Sequence, residues 1–305
     1  MKKLLTLFLA LVMVLTCVAT LASCNDKDAE DGDAVKVVDI KLTEEQYAFA
    51  VAKGNTTLLA QLNDFMDEIM EDGTFDEIIN NYFGDGEPQR VTSAATKKTD
   101  GSQLIVATNA AFEPFEYKSG DYYYGVDMEI MAAFAEYLDK ELYIDNMEFD
   151  AVCLAVSTEG GSYEGEDGES VQVTGGVCDV AAAGLTVNSD REQILDFSKT
   201  YYEASQMIIA AADDDTFADC ETAADVEEIL KEFGSDVKVG VQNGTTGAFY
   251  CRGDADWGFE GFDFTTVGYN NGALAVQDLI NGNCKYVVID EGPAKAIVER
   301  MNAVN

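Results

Sequence analysis

The sequence predicts an α/β fold built on parallel sheets. Two observations carry that expectation. Short β-rich runs alternate along the chain with amphipathic stretches of helical period. The 305 residues, 47% of them apolar, suffice for one large or two medium domains.

Residues 35–40 form a short β-rich run, and residues 45–52 a second apolar segment ended by Lys53-Gly54-Asn55. Over residues 57–70 the apolar positions Leu58, Leu59, Leu62, Phe65, Met66 and Ile69 recur at helical spacing. Residues 74–83 do the same with Phe75, Ile78, Ile79, Tyr82 and Phe83, and Gly84 closes that helix. Residues 85–102 carry Gly, Pro, Ser, Thr and Lys with little apolar content, the composition of a linker. A strand at 104–108, an amphipathic helix at 126–138, an extended run at 142–149 and a helix at 150–156 follow. Residues 159–174 hold a Gly/Glu/Ser stretch that reads as an exposed acidic insertion. Buried strands are expected at 177–183 and 202–211, and a helix at 223–233. The strand at 237–241 runs into Gly244-Thr245-Thr246-Gly247 and a helix. A helix at 271–280 and a strand at 286–289 complete the alternation.

Composition excludes several functions. The chain has no histidine, and 57 Asp+Glu against 19 Lys+Arg give a net charge of -38. Without histidine there is no Ser-His-Asp or Cys-His catalysis and no His-ligated metal. So acidic a chain lacks the basic surface that displaces counterions from nucleic acid, and it does not grip anionic lipid peripherally. What remains is a soluble acidic domain that binds something small, or an enzyme that works without histidine.

The N-terminus predicts export. Lys2 and Lys3 precede an apolar run over residues 4–21, which ends in Leu21-Ala22-Ser23-Cys24. A small-residue site after a short apolar core marks cleavage rather than a membrane span. With cysteine at the cut, the motif resembles a bacterial lipobox, and the resemblance implies a diacylated Cys24 as the mature N-terminus. An ordinary signal peptide with an incidental cysteine is the alternative. Residues 1–23 are then signal and 24–34 an acidic tether. Five cysteines remain beyond it: Cys153, Cys178, Cys220, Cys251 and Cys284. An odd number cannot all pair internally, and no CxxC spacing suggests a metal. Cys153 and Cys178 bracket the insertion and are the first candidate disulfide, with buried free thiols the other reading.

One set of residues, taken in order, is recognisable. It comprises Val106-Ala107-Thr108-Asn109-Ala110-Ala111-Phe112-Glu113-Pro114-Phe115-Glu116-Tyr117, Gly125-Val126-Asp127-Met128-Glu129, Ala183-Gly184-Leu185-Thr186, Asp190-Arg191-Glu192, Gly240-Val241-Gln242-Asn243-Gly244-Thr245-Thr246-Gly247 and Val288-Ile289-Asp290-Glu291. These resemble the polar-amino-acid solute-binding proteins of ABC transporters, solute-binding family 3. The resemblance covers nearly all of the mature chain. It implies a two-lobed periplasmic-binding-protein-like fold of type II, with two hinge strands and ligand trapped between the lobes. In one respect the order departs. Residues 42–55 and 71–78 look like the family's C-terminal segment, yet they stand at the front, which implies a circular permutation. The competing reading is a leftover fragment of an upstream copy. Under the permutation, residues 85–102 join the old termini. Lobe one spans 54–200, and 35–53 plus 201–305 form lobe two and the hinge, with hinge strands near 47–53 and 202–210.

The resemblance also implies a site. A free amino acid carries a carboxylate and an ammonium, and burying both requires a partner for each. Arg191, one of four arginines in the chain, would hold the carboxylate in its planar fork. Thr246 would add an N–H and a hydroxyl at a helix N-terminus. Asp290 would accept from the ammonium, with Gly184 and Thr186 adding a carbonyl and a hydroxyl. Phe112 and Phe149 match the family's aromatic wall for the side chain. Asn109 stands where many members have Asp, an uncharged amide that argues against a purely cationic side chain. Gln242 is similarly neutral. No cofactor or metal is implied. The first functional reading is a lipid-anchored subunit of an ABC importer on the extracytoplasmic face of the cell membrane. Its partners are a free amino acid, a permease and an ATPase, and it acts as a monomer without nucleic acid. The alternatives are a dehydratase of aromatic-amino-acid precursors on the same fold and a stand-alone amino-acid sensor.

Overall fold

The structure is a computed structural model that describes residues 32–165 and 168–303. The signal segment and Cys24 lie outside the described residues. In chain order, β1 (Val35–Val38), β2 (Glu45–Tyr47) and β3 (Ala50–Ala52) lead into α1 (Thr56–Asp72) and α2 (Thr74–Phe83). After the 85–102 segment come β4 (Gln103–Thr108), the meander β5 (Ala111–Phe112), β6 (Glu116–Ser119) and β7 (Tyr122–Tyr124), then α3 (Val126–Tyr137) and β8 (Glu141–Asn146). Next follow α4 (Phe149–Val156), the hairpin β9 (Gly161–Glu164) and β10 (Ser170–Val173), β11 (Val180–Ala181), α5 (Arg191–Ile194) and β12 (Leu195–Phe197). The last stretch is β13 (Tyr202–Ala204), β14 (Gln206–Ala211), α6 (Ala223–Lys231), β15 (Lys238–Gln242), α7 (Thr246–Arg252), β16 (Thr265–Tyr269), α8 (Gly272–Ile280), β17 (Tyr286–Asp290) and α9 (Glu291–Asn302).

Two five-stranded sheets define two lobes. Lobe one has the order β12-β3-β11-β4-β8, and lobe two the order β1-β14-β17-β15-β16. β4 runs parallel to β8 and β11, while β3 is antiparallel to β11 and β12. In lobe two β15 is parallel to β16 and β17, while β14 is antiparallel to β17 and β1. The parallel strands are apolar runs covered on both faces by helices, as such strands must be; β4 and β17 are buried at every position.

Residues 35–83 are integral to both lobes. β1 extends the lobe-two sheet, and β3 lies inside the lobe-one sheet between β12 and β11. α1 is capped by Asn55, ends on Gly73 at φ 89°, where glycine avoids the Cβ penalty, and buries Leu62, Phe65, Met66 and Ile69. Its Phe65 packs on Phe134 of α3 at 5.2 Å between ring centroids.

The connection between lobes is shorter than the sequence suggests. The expected hinge strands at 47–53 and 202–210 shrink to the ribbon β2–β13, in which Tyr47 faces Tyr202 and Glu45 faces Ala204. β3 and β14 already belong to the sheets of their lobes, because long apolar runs are driven into the cores and only the short polar-flanked stretch is left to cross. Nor is the 85–102 segment a loose linker. Val91 is buried and pairs with Tyr123, Ser93 accepts from the Ile144 N–H, and Lys97 binds Asp145. The insertion folds as the exposed hairpin β9–β10. The candidate disulfide is corrected: Cys153, Cys178 and the other three described cysteines are all free. Burial pushes the Cys178 thiol up to about 12.

Candidate functional site

The predicted residues gather where the ribbon β2–β13 meets the ends of β11, β15 and β17. Asp290 closes β17 and is 4% exposed. Its Oδ1 accepts from the Tyr47 hydroxyl at 2.5 Å. Burial and the neighbouring Glu45 carboxylate push the Asp290 carboxyl up to about 7. Glu45 is itself buried and accepts from Thr43 Oγ1 at 2.6 Å, Thr186 Oγ1 at 2.7 Å and Gln206 Nε2 at 3.0 Å. The Thr246 hydroxyl reaches Thr186 Oγ1 at 3.2 Å, so lobe two touches lobe one through two hydroxyls beside a carboxylate.

Arg191 starts α5, with its N–H on Asn188 Oδ1 at 2.9 Å. Its guanidinium spans the lobes. Nη1 donates to the Thr186 carbonyl at 2.7 Å and Nη2 to the Gly244 carbonyl at 3.1 Å. Phe149 and Trp257 lie on it at 5.5 Å each. Phe149 is thus placed under Arg191. Phe112 packs elsewhere, against Gly184, where an added Cβ would lie 2.9 Å from its ring and 3.3 Å from that of Tyr47. Gly184, at φ 53°, permits both that approach and the backbone turn. Its N–H donates to Asp127 Oδ2 at 3.0 Å, and the Tyr201 hydroxyl to Asp127 Oδ1 at 2.5 Å. Burial pushes Asp127 up to about 7 despite those two donors. The remaining pair also crosses the cleft: Gln242 Nε2 donates to Asn109 Oδ1 at 3.1 Å, and Asn109 Nδ2 to the Met147 carbonyl at 2.7 Å.

The nine sequence-predicted residues fall in four sets, and of the nine Thr186 and Thr246 alone line the cavity beside them. Thr186, Thr246 and Asp290 share a polar network, Arg191 stacks with Phe149, and Asn109 pairs with Gln242, while Gly184 and Phe112 wall the network from lobe one. A cavity of about 970 Å³ opens onto the network, lined among others by Glu45, Thr186, Thr246, Tyr250, Trp257 and Glu203. Sequence reasoning missed Glu45, Tyr47, Gln206 and Trp257. The period-two geometry of Glu45-Gln46-Tyr47 puts Glu45 and Tyr47 on one face, a signal available from the sequence. Trp257 is the single tryptophan. Nearby, Asp190, Asp254 and Asp256 bring carboxylate oxygens within 4.8 Å of one another.

Two lobes on separate sheets, a ribbon hinge and a guanidinium and carboxylates at the interface define a two-lobed binding protein of the type II periplasmic binding fold. Residues 12–85 and 168–286 match the sequence model of the bacterial extracellular solute-binding proteins, family 3, and the chain belongs to that family. The arginine-binding extracellular protein ArtP of Bacillus subtilis (strain 168) is 30% identical over 122 residues, 40% of this chain and 41% of that protein. A probable histidine-binding protein of Neisseria gonorrhoeae is 26% identical over 200 residues, 65% of this chain and 62% of that protein. The chain thus spans less than two thirds of either relative. An ancestral arginine-binding protein bound to glutamine superposes with a TM-score of 0.50 at 28% identity, over 65% of this chain and 74% of that chain. The fold is shared by an ancestral amino acid-binding protein, a precursor of cyclohexadienyl dehydratase, at a TM-score of 0.51 and 24% identity, over 65% and 75% of the two chains.

Proposed function

We propose that this chain is the substrate-binding subunit of an ABC importer and closes its lobes on a free amino acid. One observation carries the reading. A guanidinium (Arg191) bound to the Thr186 and Gly244 carbonyls and a buried carboxyl (Asp290) bound by the Tyr47 hydroxyl both lie where Thr246 of one lobe meets Thr186 of the other. That is the complement of a zwitterion. The ligand carboxylate takes the donors of the Arg191 fork not spent on Thr186 and Gly244, together with Thr246. The ammonium takes Asp290, the Gly184 carbonyl and the Thr186 hydroxyl, with Glu45 as a second carboxylate. Phe149 braces the Arg191 guanidinium, Phe112 packs behind Gly184, and the paired amides of Asn109 and Gln242 are the groups assigned to the ligand's side chain. The names of the relatives, an arginine-binding and a histidine-binding protein, support an amino acid as the ligand.

In this reading Cys24 is acylated and holds the protein, as a monomer, on the outer face of the cell membrane beside its permease and ATPase. A circularly permuted order is supported by β1 and β3, front-of-chain strands that complete the two lobe sheets. One observation favours an enzyme instead: Asp127 and Asp290, both pushed up to about 7, could donate protons at neutral pH. Incubation with prephenate or arogenate would expose a dehydratase by its product. The test of the binding reading is a melting-temperature screen against the twenty amino acids, cystine and ornithine. At a hundredfold excess over Kd a true ligand adds about 2.7 kcal/mol, and a screen in which no amino acid raises the melting temperature overturns the proposal.

A further inference from the structure

The turn between α7 and β16 reaches from lobe two onto lobe one. Asp254 and Phe259 pair across it, with N–O distances of 2.9 and 2.8 Å. Between them the Gly258 N–H donates to the Ala255 carbonyl at 3.2 Å. Asp254 Oδ1 accepts from the Asp256 and Trp257 N–H groups at 3.0 and 3.2 Å. These bonds fix the shape of the turn, and Trp257 stands at its tip. The indole is braced by its own lobe. It stacks on Phe249 of α7 at 5.1 Å and on Phe259 at 6.1 Å, and Phe259 packs on Tyr250 at 5.4 Å.

This braced ring meets Arg191 across the seam. Trp257 lies over the guanidinium at 5.5 Å, as Phe149 of lobe one does, so the head carries one ring from each lobe. An aromatic face is a good partner for a planar, weakly hydrated cation. The turn touches lobe one again where Ser189 Oγ donates to the Asp256 carbonyl at 3.4 Å. It docks against like charge. Carboxylate oxygens of Asp190, the residue before Arg191, and of Asp254 and Asp256 all lie within 4.8 Å of one another. Their repulsion favours a parted seam, and the ring on the guanidinium opposes it. Trp257 also lines the cavity, so direct contact with a ligand side chain is the competing role.

We propose that Trp257 is a positioning residue for the Arg191 clamp: as the lobes meet, its indole is laid over the guanidinium and holds the fork in the orientation that the Thr186 and Gly244 carbonyls define. This rests on the reading of Arg191 as the partner of the ligand carboxylate and extends that clamp to lobe two. The arginine head sits on a long, flexible stem. From its own lobe it is held by Phe149 and the Thr186 carbonyl. Lobe two adds the Gly244 carbonyl and an indole on a turn that is already rigid. The freedom of the stem is then lost in closing rather than in meeting the carboxylate, which is how a preorganised partner strengthens binding. The donors not spent on the two carbonyls are held ready for a carboxylate.

Calorimetry tests the proposal, with L-arginine, L-histidine, L-glutamine and any further amino acid active in the melting screen as probes. Trp257→Ala should weaken every probe that binds by a common factor of about three- to thirtyfold, because each presents the same carboxylate. Trp257→Phe keeps a ring over the guanidinium and should recover affinity to within about threefold of wild type. Trp257 is the single tryptophan, so wild-type emission reads the contact without a variant. Saturation with a binding probe should shift that emission to the blue and shield it from acrylamide. Three results overturn the proposal while leaving amino-acid binding intact: Trp257→Ala within about twofold of wild type, a loss that differs more than about tenfold between probes, or an emission that saturation leaves unchanged. Binding of no amino acid at all removes the underlying reading as well.

Discussion

Replacing Arg191 by alanine separates ligand recognition from folding. In the closed arrangement the guanidinium makes two charge-assisted bonds, one to each lobe, at 2.7 and 3.1 Å, and lies against Phe149 and Trp257. Both acceptors are uncharged main-chain carbonyls, Thr186 in the arginine's own lobe and Gly244 across the seam, so the free protein loses no buried charge partner. Its melting temperature should fall by only a few degrees. The liganded state is different. A ligand carboxylate sealed between the lobes loses its counter-charge, and breaking such a buried pair costs about 3–5 kcal/mol. At about 1.4 kcal/mol per decade, affinity should drop roughly a hundredfold to several-thousandfold. Arg191→Lys keeps the charge but not the fork that reaches both carbonyls, and should fall between alanine and wild type. Calorimetry with a melting curve on each variant reads both quantities. If Arg191→Ala binds within about threefold of wild type, the carboxylate is held elsewhere and the reasoning fails. If its melting temperature collapses, Arg191 is a structural clamp rather than a ligand contact.

The ligand-free protein should lose stability as pH rises from about 4 to 7 and level off above that. The Asp127 and Asp290 carboxyls are pushed up to about 7 from an unfolded value near 4, so the stability they confer is present below that lower value and lost through about 7. Asp290 is faced by Glu45 and Tyr47 of β2, Gln206 of β14, Glu116 of β6 and Tyr202 of β13. Ligand affinity should move the other way, since an ammonium prefers the ionised carboxyl; an unliganded melting temperature that climbs with pH contradicts the assignment. Gly184→Ala must displace the Phe112 ring and strain a φ of 53°, and should cost about 1–3 kcal/mol in thermal denaturation. Deleting residues 34–84 removes a strand from each lobe sheet and should abolish cooperative unfolding; a soluble, ligand-binding remainder would rule out the permuted order. Membrane fractionation of Cys24→Ala should show release or an unprocessed precursor, and unchanged partition with normal processing argues against the anchor.

The alternation of strands and helices was legible because the lobe sheets are parallel at their centres. Runs such as Leu104 to Thr108 and Tyr286 to Ile289 are apolar without a break, which only strands covered on both faces require. The meander β5–β7, β16 and α9 were not legible. The meander strands span two to four residues, too few to establish a period. In α9, Pro293 sits in the first turn, where it is tolerated but masks the helical signal. The exposed hairpin β9–β10 has few apolar residues to announce it. At the site, the residues found from sequence are those whose neighbours along the chain form a motif, as Asp190-Arg191-Glu192 does. Glu45 lies in such a stretch, 42–55, but nothing there singles it out as a site residue, and Gln206 has no such neighbours. Their roles come from contacts across 161 positions of sequence, and in a chain with 57 acidic residues the shared face of Glu45 and Tyr47 is a faint signal until the glutamate is seen buried.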